Sequence, residues 1–361
     1  MNVLIAMDSW KGSLSAKEAC AAVQAGLAGM QTRCIPMSDG GEGWISCLGC
    51  DEVSVPTFDA FDLPMVGKIG WLGNCAVIET AVASGLTHIP EDLRNPETTT
   101  TYGTGILLHA AMDAGAKEIL VGFGGSATTD GGMGALQALG LQFFDREGVR
   151  LGRGGRQMRH IHHAETSFLY QDLDQVKFQF ACDVDTTYLD AARVFGPQKG
   201  ADEESISRLT DGLQKLAMCL QDTFGKPFSD VPGTGAAGGL CGGLYAVCNA
   251  EITDGFSILR EVTHFDEAMA WADCVITGEG KTDSQTVLGK LPYRIGKLAQ
   301  EHKIPAILIS GCVEDAEGLR THGFSALHAT KTAEMSIPYA MEHASTLLTA
   351  KVAEIAHEIM S

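Results

Sequence analysis

The feature that most constrains this chain is the alternation of short apolar segments with helical patterns near its N-terminus. Residues 3–6 form a short apolar run, and Ser15 precedes a stretch whose apolar residues recur with helical spacing. Further strands are predicted over residues 33–36 and 53–58, with a helix from about residue 42 between them. Strands that alternate with helices indicate βαβ units and a parallel sheet.

The C-terminal part of the chain repeats this alternation, with strands predicted over residues 274–277 and 306–310. Neither end contains enough strands for a complete doubly wound sheet, whereas the two ends together do. We therefore predict an α/β protein with two α/β domains, in which both termini build one Rossmann-like parallel sheet and a second α/β domain is inserted. The predicted domains are residues 1–60 with 268–361, and residues 61–267, which contain the glycine-rich loops.

Length and charge limit the possible partners. A chain of 361 residues suggests two domains. Its 45 Asp and Glu exceed its 26 Lys and Arg, which gives a net charge of −19. A field of that sign repels nucleic acid and anionic membranes, so we expect a small-molecule substrate, no nucleic acid, no membrane, and a monomer or small homo-oligomer. The N-terminal apolar run is too short for a signal peptide, which predicts a cytoplasmic location.

Glycine is clustered in residues 122–132, which follow an apolar strand pattern and precede a helical one. A glycine-rich turn between a strand and a helix presents backbone N–H groups to an anion. The alternative is a tight turn that needs glycine only for positive φ, but five glycines interleaved with hydroxyls exceed that need. The predicted nucleotide-binding residues here are Gly124, Gly125, Ser126, Thr128 and Asp130.

A similar run at residues 98–105 adds three further candidates for nucleotide binding, Gly103, Thr104 and Gly105. Its alternative, a helix N-cap made of threonines, stays open. Neither loop is a Walker A motif: residues 280–282 match its last letters, but Val275 replaces the required first glycine. No dinucleotide fingerprint opens the first βα turn, so a nicotinamide cofactor is not expected.

Acidic residues follow several predicted strands beside glycine and lysine. In open α/β sheets the ligand lies beyond the carboxyl ends of the strands, so carboxylates from distant segments are expected to converge there. They would bind Mg²⁺ and supply a general base, although a solvated turn or N-cap is the alternative for each of them. The predicted catalytic residues are Asp8, Lys11, Asp39, Asp183, Lys199 and Asp283, and the predicted metal ligands are Asp185 and Asp283.

Phosphoryl transfer needs positioning, a metal ion and cations rather than covalent help from the protein. The residues alone therefore predict a phosphate-handling α/β enzyme, without a substrate. At the same segments the chain resembles the bacterial glycerate kinase family, the type that usually forms 2-phosphoglycerate. The resembling segments are residues 8–13 (D-S-W-K-G-S), 38–43 (S-D-G-G-E-G), 77–79 with 83–86, 124–132, 194–200 (V-F-G-P-Q-K-G), 233–239 and 276–285.

The resemblance implies ATP with Mg²⁺ as phosphoryl donor and D-glycerate as acceptor. One departure lies in residues 185–193, where the family usually has D-V-D-N-P-L and this chain lacks the Asn-Pro. If that loop contacts the substrate, acceptor preference could differ. The alternatives are a kinase for another short hydroxy acid and a non-catalytic phosphate- or nucleotide-sensing module of the same fold.

Overall fold

The computed structural model describes residues 1–283, 286, 290–314, 319 and 322–360. Packing divides the chain into two compact units. The terminal unit comprises Met1–Ser38, Ser46–Leu48 and Phe256–Ser361, and the central unit comprises Asp39–Ile45 and Gly49–Gly255. No helix within the described ranges is long and apolar enough to cross a membrane.

Strands and helices alternate along most of the chain. The strands are β1 (Asn2–Met7), β2 (Gln31–Cys34), β3 (Asp51–Phe58), β4 (Pro64–Leu72), β5 (Cys75–Glu79), β6 (Glu118–Gly122), β7 (Gln142–Phe144), β8 (His163–Glu165), β9 (Lys177–Ala181), β10 (Ala250–Thr253), β11 (Cys274–Gly278), β12 (Lys281–Thr282), β13 (Ala306–Ser310), β14 (Cys312–Val313) and β15 (Phe324–Ala329). The helices are α1 (Ala16–Gly26), α2 (Trp44–Cys47), α3 (Thr80–Ser84), α4 (Tyr102–Asp113), α5 (Met133–Ala138), α6 (Ala191–Phe195), α7 (Glu203–Phe224), α8 (Leu240–Val247), α9 (Gly255–Val262), α10 (Phe265–Trp271), α11 (Leu291–His302), α12 (Ile337–Glu342) and α13 (Ala344–Met360).

The terminal unit contains a five-stranded parallel sheet in the order β15-β13-β11-β1-β2. Val3 of β1 lies opposite Cys274 of β11, so the first strand of the chain pairs with a strand from its C-terminal part. The side chains of β11 and β13 are buried throughout, as expected for parallel strands covered on both faces. The predicted fold class, with one parallel sheet built from both ends, is confirmed.

Helix α1 begins where the sequence predicts. Ser15 and Glu18 form a capping box: the Glu18 backbone N–H donates to Ser15 Oγ at 3.2 Å, and the Ser15 N–H donates to Glu18 Oε2 at 2.8 Å. The apolar face of the helix packs against β1 and against α13, where Thr349 Oγ1 donates to the Ala22 carbonyl at 2.9 Å. This packing joins the two ends of the chain in one core.

The central unit contains a six-stranded sheet in the order β10-β9-β6-β5-β4-β3. Strands β10, β9, β6 and β5 are mutually parallel, whereas β4 and β3 continue the sheet antiparallel. Strands β3 and β4 form a hairpin whose turn is held by Asp59 Oδ1, which accepts from Phe61 N and Leu63 N at 2.9 Å each. The main core lies between this sheet and helices that include α4, α5, α7 and α8.

The domain boundaries predicted at residues 60 and 268 differ from the boundaries between the two units, which lie near residues 38–49 and at residue 255. Residues 53–58 form a strand as predicted, but this strand pairs with β4 in the central sheet, because a short turn joins the two directly. At the other end, residues from Phe256 onward pack in the terminal unit. The helix predicted from about residue 42 is reduced to the single turn of α2.

Candidate active site

The carboxyl ends of the four parallel strands of the central sheet gather most of the predicted site segments. Strand β6 leads into the glycine-rich loop, residues 122–132, and β9 leads into Asp183 and Asp185. Strand β5 ends at Glu79, and β10 is followed within two residues by Gly255. Because parallel strands end at the same edge of the sheet, these segments are neighbours. Ligands of open α/β sheets bind at this edge.

The segment Asp39–Ile45 packs directly on this edge, backbone against backbone. Gly124 N donates to the Gly40 carbonyl at 3.2 Å. A Cβ added to Gly124 would come within 2.4 Å of the Gly41 Cα, and one added to Gly122 within 2.3 Å of the Gly40 oxygen. The glycines therefore permit a close approach between two loops that are distant in the sequence.

Glu79 anchors this segment, a role that the sequence analysis did not assign. Its carboxylate is 3% exposed and accepts hydrogen bonds from Gly43 N at 3.1 Å and Ile45 N at 2.6 Å. Burial raises the pKa of Glu79, and the two backbone donors oppose that rise. The indications in the sequence were its position at the end of an apolar strand and its place in the resembling segment 77–79.

Asp39 and Asp183 are exposed and belong to adjoining loops at this edge. Gly255 N donates to Asp183 Oδ1 at 3.1 Å. A Cβ on Gly255 would come within 2.4 Å of the Asp39 carbonyl oxygen, and a Cβ on Gly41 within 3.2 Å of Asp39 Oδ1. The structure thus brings these two predicted carboxylates to the same loop cluster as Gly124. Asp185 is exposed two residues further on.

Asp130, predicted to bind nucleotide, is completely buried and is itself the anion that the end of the glycine-rich loop surrounds. Its carboxylate accepts from Thr101 N at 2.7 Å, from Gly132 N at 3.1 Å and from Gly134 N at 3.2 Å. The hydroxyls of Thr100 and Thr101 also donate to it, at 3.3 and 2.9 Å. Burial raises the pKa of Asp130, whereas these donors lower it. These contacts favour a structural role for Asp130.

Lys199, predicted as a catalytic cation, is also buried, with 2% of its surface exposed. Its Nζ donates to the Thr128 carbonyl at 2.6 Å and to Ser126 Oγ at 3.0 Å. Burial lowers the pKa of Lys199 to about 7, and the negative charge of Asp130 opposes that shift. The ammonium group therefore supports the glycine-rich loop from within the unit.

The part of the glycine-rich loop that remains open is short. Gly125 is exposed in the left-handed region at φ 72°, and Gly124 is half-buried, whereas Ser126 and Thr128 are buried. The buried Thr128 hydroxyl has no hydrogen-bond partner among the described residues. Helix α5 has only six residues, and the Gly134 N–H in its first turn already donates to the buried Asp130 carboxylate at 3.2 Å.

The second predicted loop is packed inside the central unit. A Cβ on Gly103 would lie 1.9 Å from the Phe58 carbonyl oxygen, and one on Gly105 would lie 2.5 Å from the Ala135 oxygen. The Thr104 hydroxyl is buried and shares a 2.9 Å hydrogen bond with that of Ser84. The alternative of a threonine N-cap is met only in part: the Thr101 side chain binds Asp130, whereas Thr100 Oγ1 accepts from Tyr102 N at 3.2 Å. Close packing is the role that these contacts favour.

The terminal unit carries the remaining predicted residues at the carboxyl ends of β1 and β11. Asp8 directly follows β1, and its Oδ1 accepts from Ser9 N at 2.6 Å. Lys11 is exposed in the turn that follows. Asp283 is half-buried after β12, and its carboxylate lies 3.7 Å from Lys290 Nζ.

Lys290 and Glu279 are polar residues of this region that were not predicted. Glu279 is 8% exposed, accepts from Thr286 Oγ1 at 2.7 Å, and pairs with Lys290 Nζ at 3.5 Å. Its position in the 276–285 segment was the available indication. Ser284 and Gln285, at the end of that segment, lie outside the described residues.

Comparison with known proteins identifies the family. The sequence model of the "Glycerate kinase family" matches residues 3–360. The chain belongs to the glycerate kinase family. This membership agrees with the resemblance of the seven sequence segments.

Named relatives cover almost the whole chain. A Bacillus subtilis protein named glycerate kinase is 39% identical over 99% of this chain and 98% of its own length. An Escherichia coli protein named glycerate 2-kinase is 36% identical over 92% of this chain and 91% of its own. A crystal structure of a Salmonella typhimurium LT2 protein, provisionally called glycerate kinase 2, matches with a TM-score of 0.85 and 34% identity, covering 100% of this chain and 98% of that one.

Proposed function

We propose that this protein is an ATP-dependent kinase that phosphorylates a hydroxyl of D-glycerate and releases 2-phosphoglycerate. Membership of the glycerate kinase family over residues 3–360 supports the reaction class. The position of the new phosphate is supported by the Escherichia coli relative named glycerate 2-kinase, which is 36% identical.

The observation that carries this proposal is the meeting of Asp39, Asp183 and Gly124 at one sheet edge, where the Gly255 amide and the Gly40 carbonyl join them. A carboxylate near bound phosphate serves in kinases as the base that accepts the proton of the attacking hydroxyl. We assign that role to Asp183 or Asp39, because both are exposed, whereas Asp130 is buried.

The exposed carboxylates also fit a magnesium ion. Mg²⁺ in kinases is held by one or two carboxylates together with phosphate oxygens rather than by a complete protein cage. Among the residues that the structure describes, no group of three or more His, Cys, Asp or Glu side chains forms such a cage. Asp185 is the proposed ligand in the central unit, and Asp283, the other ligand predicted from the sequence, belongs to the terminal unit. Bound Mg-ATP supplies the phosphoryl group.

The terminal unit contains the other residues predicted to be catalytic, Asp8, Lys11 and Asp283, and Lys290 Nζ lies 3.7 Å from the Asp283 carboxylate. Lys11 is exposed, as a cation that meets an anionic substrate must be. Lys199 has a different role in this proposal: it positions the glycine-rich loop through Ser126 and Thr128. We also propose a cytoplasmic location and a monomeric or small homo-oligomeric state. The net charge of −19 supports the further proposal that the protein has no nucleic-acid or membrane partner.

A kinase for another short hydroxy acid is the second candidate, favoured by the altered loop at residues 185–193. In the structure this loop begins beside Asp183, and its Tyr188 is completely buried and donates to the Gly131 carbonyl at 2.9 Å. The loop therefore joins a proposed catalytic residue to the glycine-rich loop. A changed loop at this position could alter which acceptor fits.

A coupled assay of ADP release tests the proposal with D-glycerate, L-glycerate, glycolate and a four-carbon aldonate, each with and without Mg²⁺. We expect the highest kcat/KM with D-glycerate, dependence on Mg²⁺, and 2-phosphoglycerate by phosphorus NMR. Preference for the aldonate would support the second candidate. No turnover of any hydroxy acid would contradict the kinase and favour a sensing module.

A further inference from the structure

Two cysteines of the central unit form a close pair beside the proposed catalytic edge. Cys182 directly follows β9 and precedes Asp183, and Cys241 lies in the first turn of α8. The Cys241 thiol donates a hydrogen bond to the Cys182 sulfur, so the two side chains are in contact. Because the two residues are distant in the sequence, it is the tertiary packing that creates this pair.

Backbone contacts fix the position of the pair. The Cys182 N–H donates to the Thr253 carbonyl of β10 at 2.9 Å, which ties the residue to the sheet edge. Its Sγ lies 3.4 Å from the carbonyl oxygen of Val184 and 3.4 Å from that of Gly233, in the segment that leads into α8. Cys241 belongs to the main core of the unit. The pair therefore joins the sheet edge to the start of α8.

The two thiols differ in their access to solvent. Cys182 is partly exposed and lines a depression of about 520 Å³ at the carboxyl ends of β9 and β10, whereas Cys241 is completely buried. The hydrogen bond from Cys241 lowers the pKa of Cys182, although burial opposes that shift, and burial raises the pKa of Cys241. An accessible thiol beside a second, resolving cysteine is the arrangement typical of redox-sensing sites.

The charges around Cys182 limit the kind of reagent that reaches it. Asp185, Glu251 and Asp254 line the same depression, and its lining, within the described residues, contains neither lysine nor arginine. Three carboxylates without a cation repel anionic reagents such as glutathione, whereas an uncharged reagent enters freely. Hydrogen peroxide, which is small and uncharged, is therefore the oxidant that fits this site.

We propose that Cys182 is a site of oxidation by hydrogen peroxide, that Cys241 converts the oxidised Cys182 into a disulfide, and that this disulfide stops turnover. The site of oxidation is independent of the proposed function, whereas the loss of turnover rests on the catalytic role proposed for Asp183.

The oxidation proceeds in two balanced steps. The Cys182 sulfur attacks one oxygen of the peroxide: an S–O bond forms, the O–O bond breaks, and the leaving hydroxide takes the thiol proton to give water and a sulfenic acid. The Cys241 sulfur then attacks the Cys182 sulfur. The S–S bond forms, the S–O bond breaks, and the leaving hydroxide takes the Cys241 proton as a second water. Both thiols are oxidised, and one peroxide is reduced.

Disulfide formation displaces the residue next to Asp183. A disulfide holds its sulfurs about 2 Å apart, whereas non-bonded heavy atoms stay about 3.5–4 Å apart, so the pair must close by roughly 1.5 Å. Asp183 is held on its other side by the Gly255 amide, which donates to its Oδ1 at 3.1 Å. Because a misplacement of about 1 Å can cost about 10²-fold in rate, we expect the disulfide to lower kcat strongly.

Treatment of the full chain with hydrogen peroxide tests the proposal by two separate measurements. Peptide mass spectrometry should show the peptides of Cys182 and Cys241 joined by a disulfide, before the exposed Cys34 is modified. ADP release with D-glycerate should fall about 10²-fold in the oxidised protein. Dithiothreitol should separate the peptides and restore ADP release to within about twofold of its starting value.

Cysteine variants separate the roles of the two thiols. Cys241→Ser keeps a hydrogen-bond donor but cannot form the disulfide, so peroxide should leave a sulfenic acid at Cys182 that dimedone traps. Cys241→Ala replaces this variant if the serine variant fails to fold, as judged by circular dichroism. Cys182→Ser should keep its ADP release within about twofold under the same peroxide. Cys34→Ser, the control at an exposed cysteine, should respond to peroxide as the wild type does.

The outcomes that contradict the proposal are distinct. Peptides of Cys182 and Cys241 that stay separate in peroxide-treated wild-type protein would overturn the site of oxidation. A complete disulfide with unchanged ADP release would overturn the loss of turnover. Because mass spectrometry requires no turnover, a protein that never phosphorylates glycerate would contradict the proposed function, while joined peptides would still support the site of oxidation.

Discussion

Burial separates charged residues that look alike in the sequence. Asp130 and Asp183 both lie beyond the end of an apolar strand, yet the first is completely buried and the second is exposed. The difference arises from Thr101, 29 residues before Asp130, whose N–H and hydroxyl bind that carboxylate. The burial of Lys199 likewise depends on a distant partner, the carbonyl of Thr128, which is 71 residues away and accepts from its Nζ. No local pattern encodes such contacts, so the sequence analysis located these residues but predicted nucleotide binding for Asp130 and catalysis for Lys199.

The exposed carboxylate Asp183 should be required for turnover and dispensable for folding. Asp183→Asn removes the charge and nearly keeps the shape, and a general base contributes about 10²–10⁴-fold to kcat. We expect kcat to fall by that factor with the melting temperature within about 2 °C of wild type, measured by the ADP assay and by thermal unfolding. Asp113→Asn, a matched exposed position, should change neither. If Asn at Asp183 and at Asp39 each left kcat within threefold, neither carboxylate would be the base.

The buried ammonium of Lys199 should make stability depend on pH. Its pKa is about 7 in the folded protein against an ordinary value of 10.5. Between these two pKa values Lys199 is protonated in the unfolded chain and largely neutral in the folded one. The free energy of unfolding therefore rises with pH over this range. Between pH 7 and pH 9 this rise should be about 2 kcal/mol, measured by urea unfolding.

The Lys199→Met variant is the control for this pH dependence. The variant should lack that rise in the free energy of unfolding. Buried thiols such as Cys20, whose pKa is raised to about 12, make the free energy of unfolding fall as the pH rises, in both proteins. The quantity to compare is therefore the difference between the two proteins at each pH. A difference that is constant from pH 7 to pH 9 would show that Lys199 keeps an ordinary pKa.

At the scale of elements, regular patterns predicted strands and helices well and loops poorly. The helix that follows Ser15 and the buried parallel strands were predicted from local patterns, and both are present. Strand β2 begins two residues earlier than predicted, and α2 has one turn, because exposed or short elements carry little apolar periodicity. The glycine-rich loop was located correctly, but its contact with the segment Asp39–Ile45 depends on a tertiary approach that the glycines only permit.

That approach predicts a sharp difference between two glycines. In Gly124→Ala the new Cβ would lie 2.4 Å from the Gly41 Cα, so one of the two loops must move by about 1 Å. A displacement of that size can cost about 10²-fold in rate, and we expect kcat/KM for glycerate to fall at least tenfold. Gly152→Ala meets only Gln157 Nε2, at 4.0 Å, and should leave kcat/KM unchanged. Equal activity of the two variants would mean that the contact between the loops is not needed for catalysis.

For the whole molecule, the sequence predicted the α/β class and the sheet shared by both ends, because each end carries only part of the alternating pattern of strands and helices. The limits between the units were harder to predict, since the chain crosses from one unit to the other in short segments such as Ser46–Leu48 without a change in composition. The hairpin of β3 and β4 also lacked a turn signature strong enough to assign β3 to the central sheet.

The central unit should fold without the terminal one. A fragment of residues 39–255 contains its whole sheet and main core, and should unfold cooperatively in urea. A fragment of residues 49–255 lacks Gly43 and Ile45, which donate to the buried carboxylate of Glu79. Since each buried group left without a partner costs about 1–3 kcal/mol, the shorter fragment should be less stable by at least that amount. Equal stability of the two fragments would contradict the anchoring role of Glu79.

The pairing of β1 with β11 also fixes the order in which the chain matures on the ribosome. Ala6, whose carbonyl accepts from Thr277 Oγ1, is synthesised 271 residues before that partner. At about 5–20 residues per second, roughly 14–54 s separate the two strands. During that interval the whole central unit emerges from the ribosome. Strand β1, which is buried in the folded protein except for its first residue, meanwhile has one edge unpaired. Strand β11 thus completes the pairing of β1, and until β11 emerges β1 keeps an open edge of the kind that promotes aggregation.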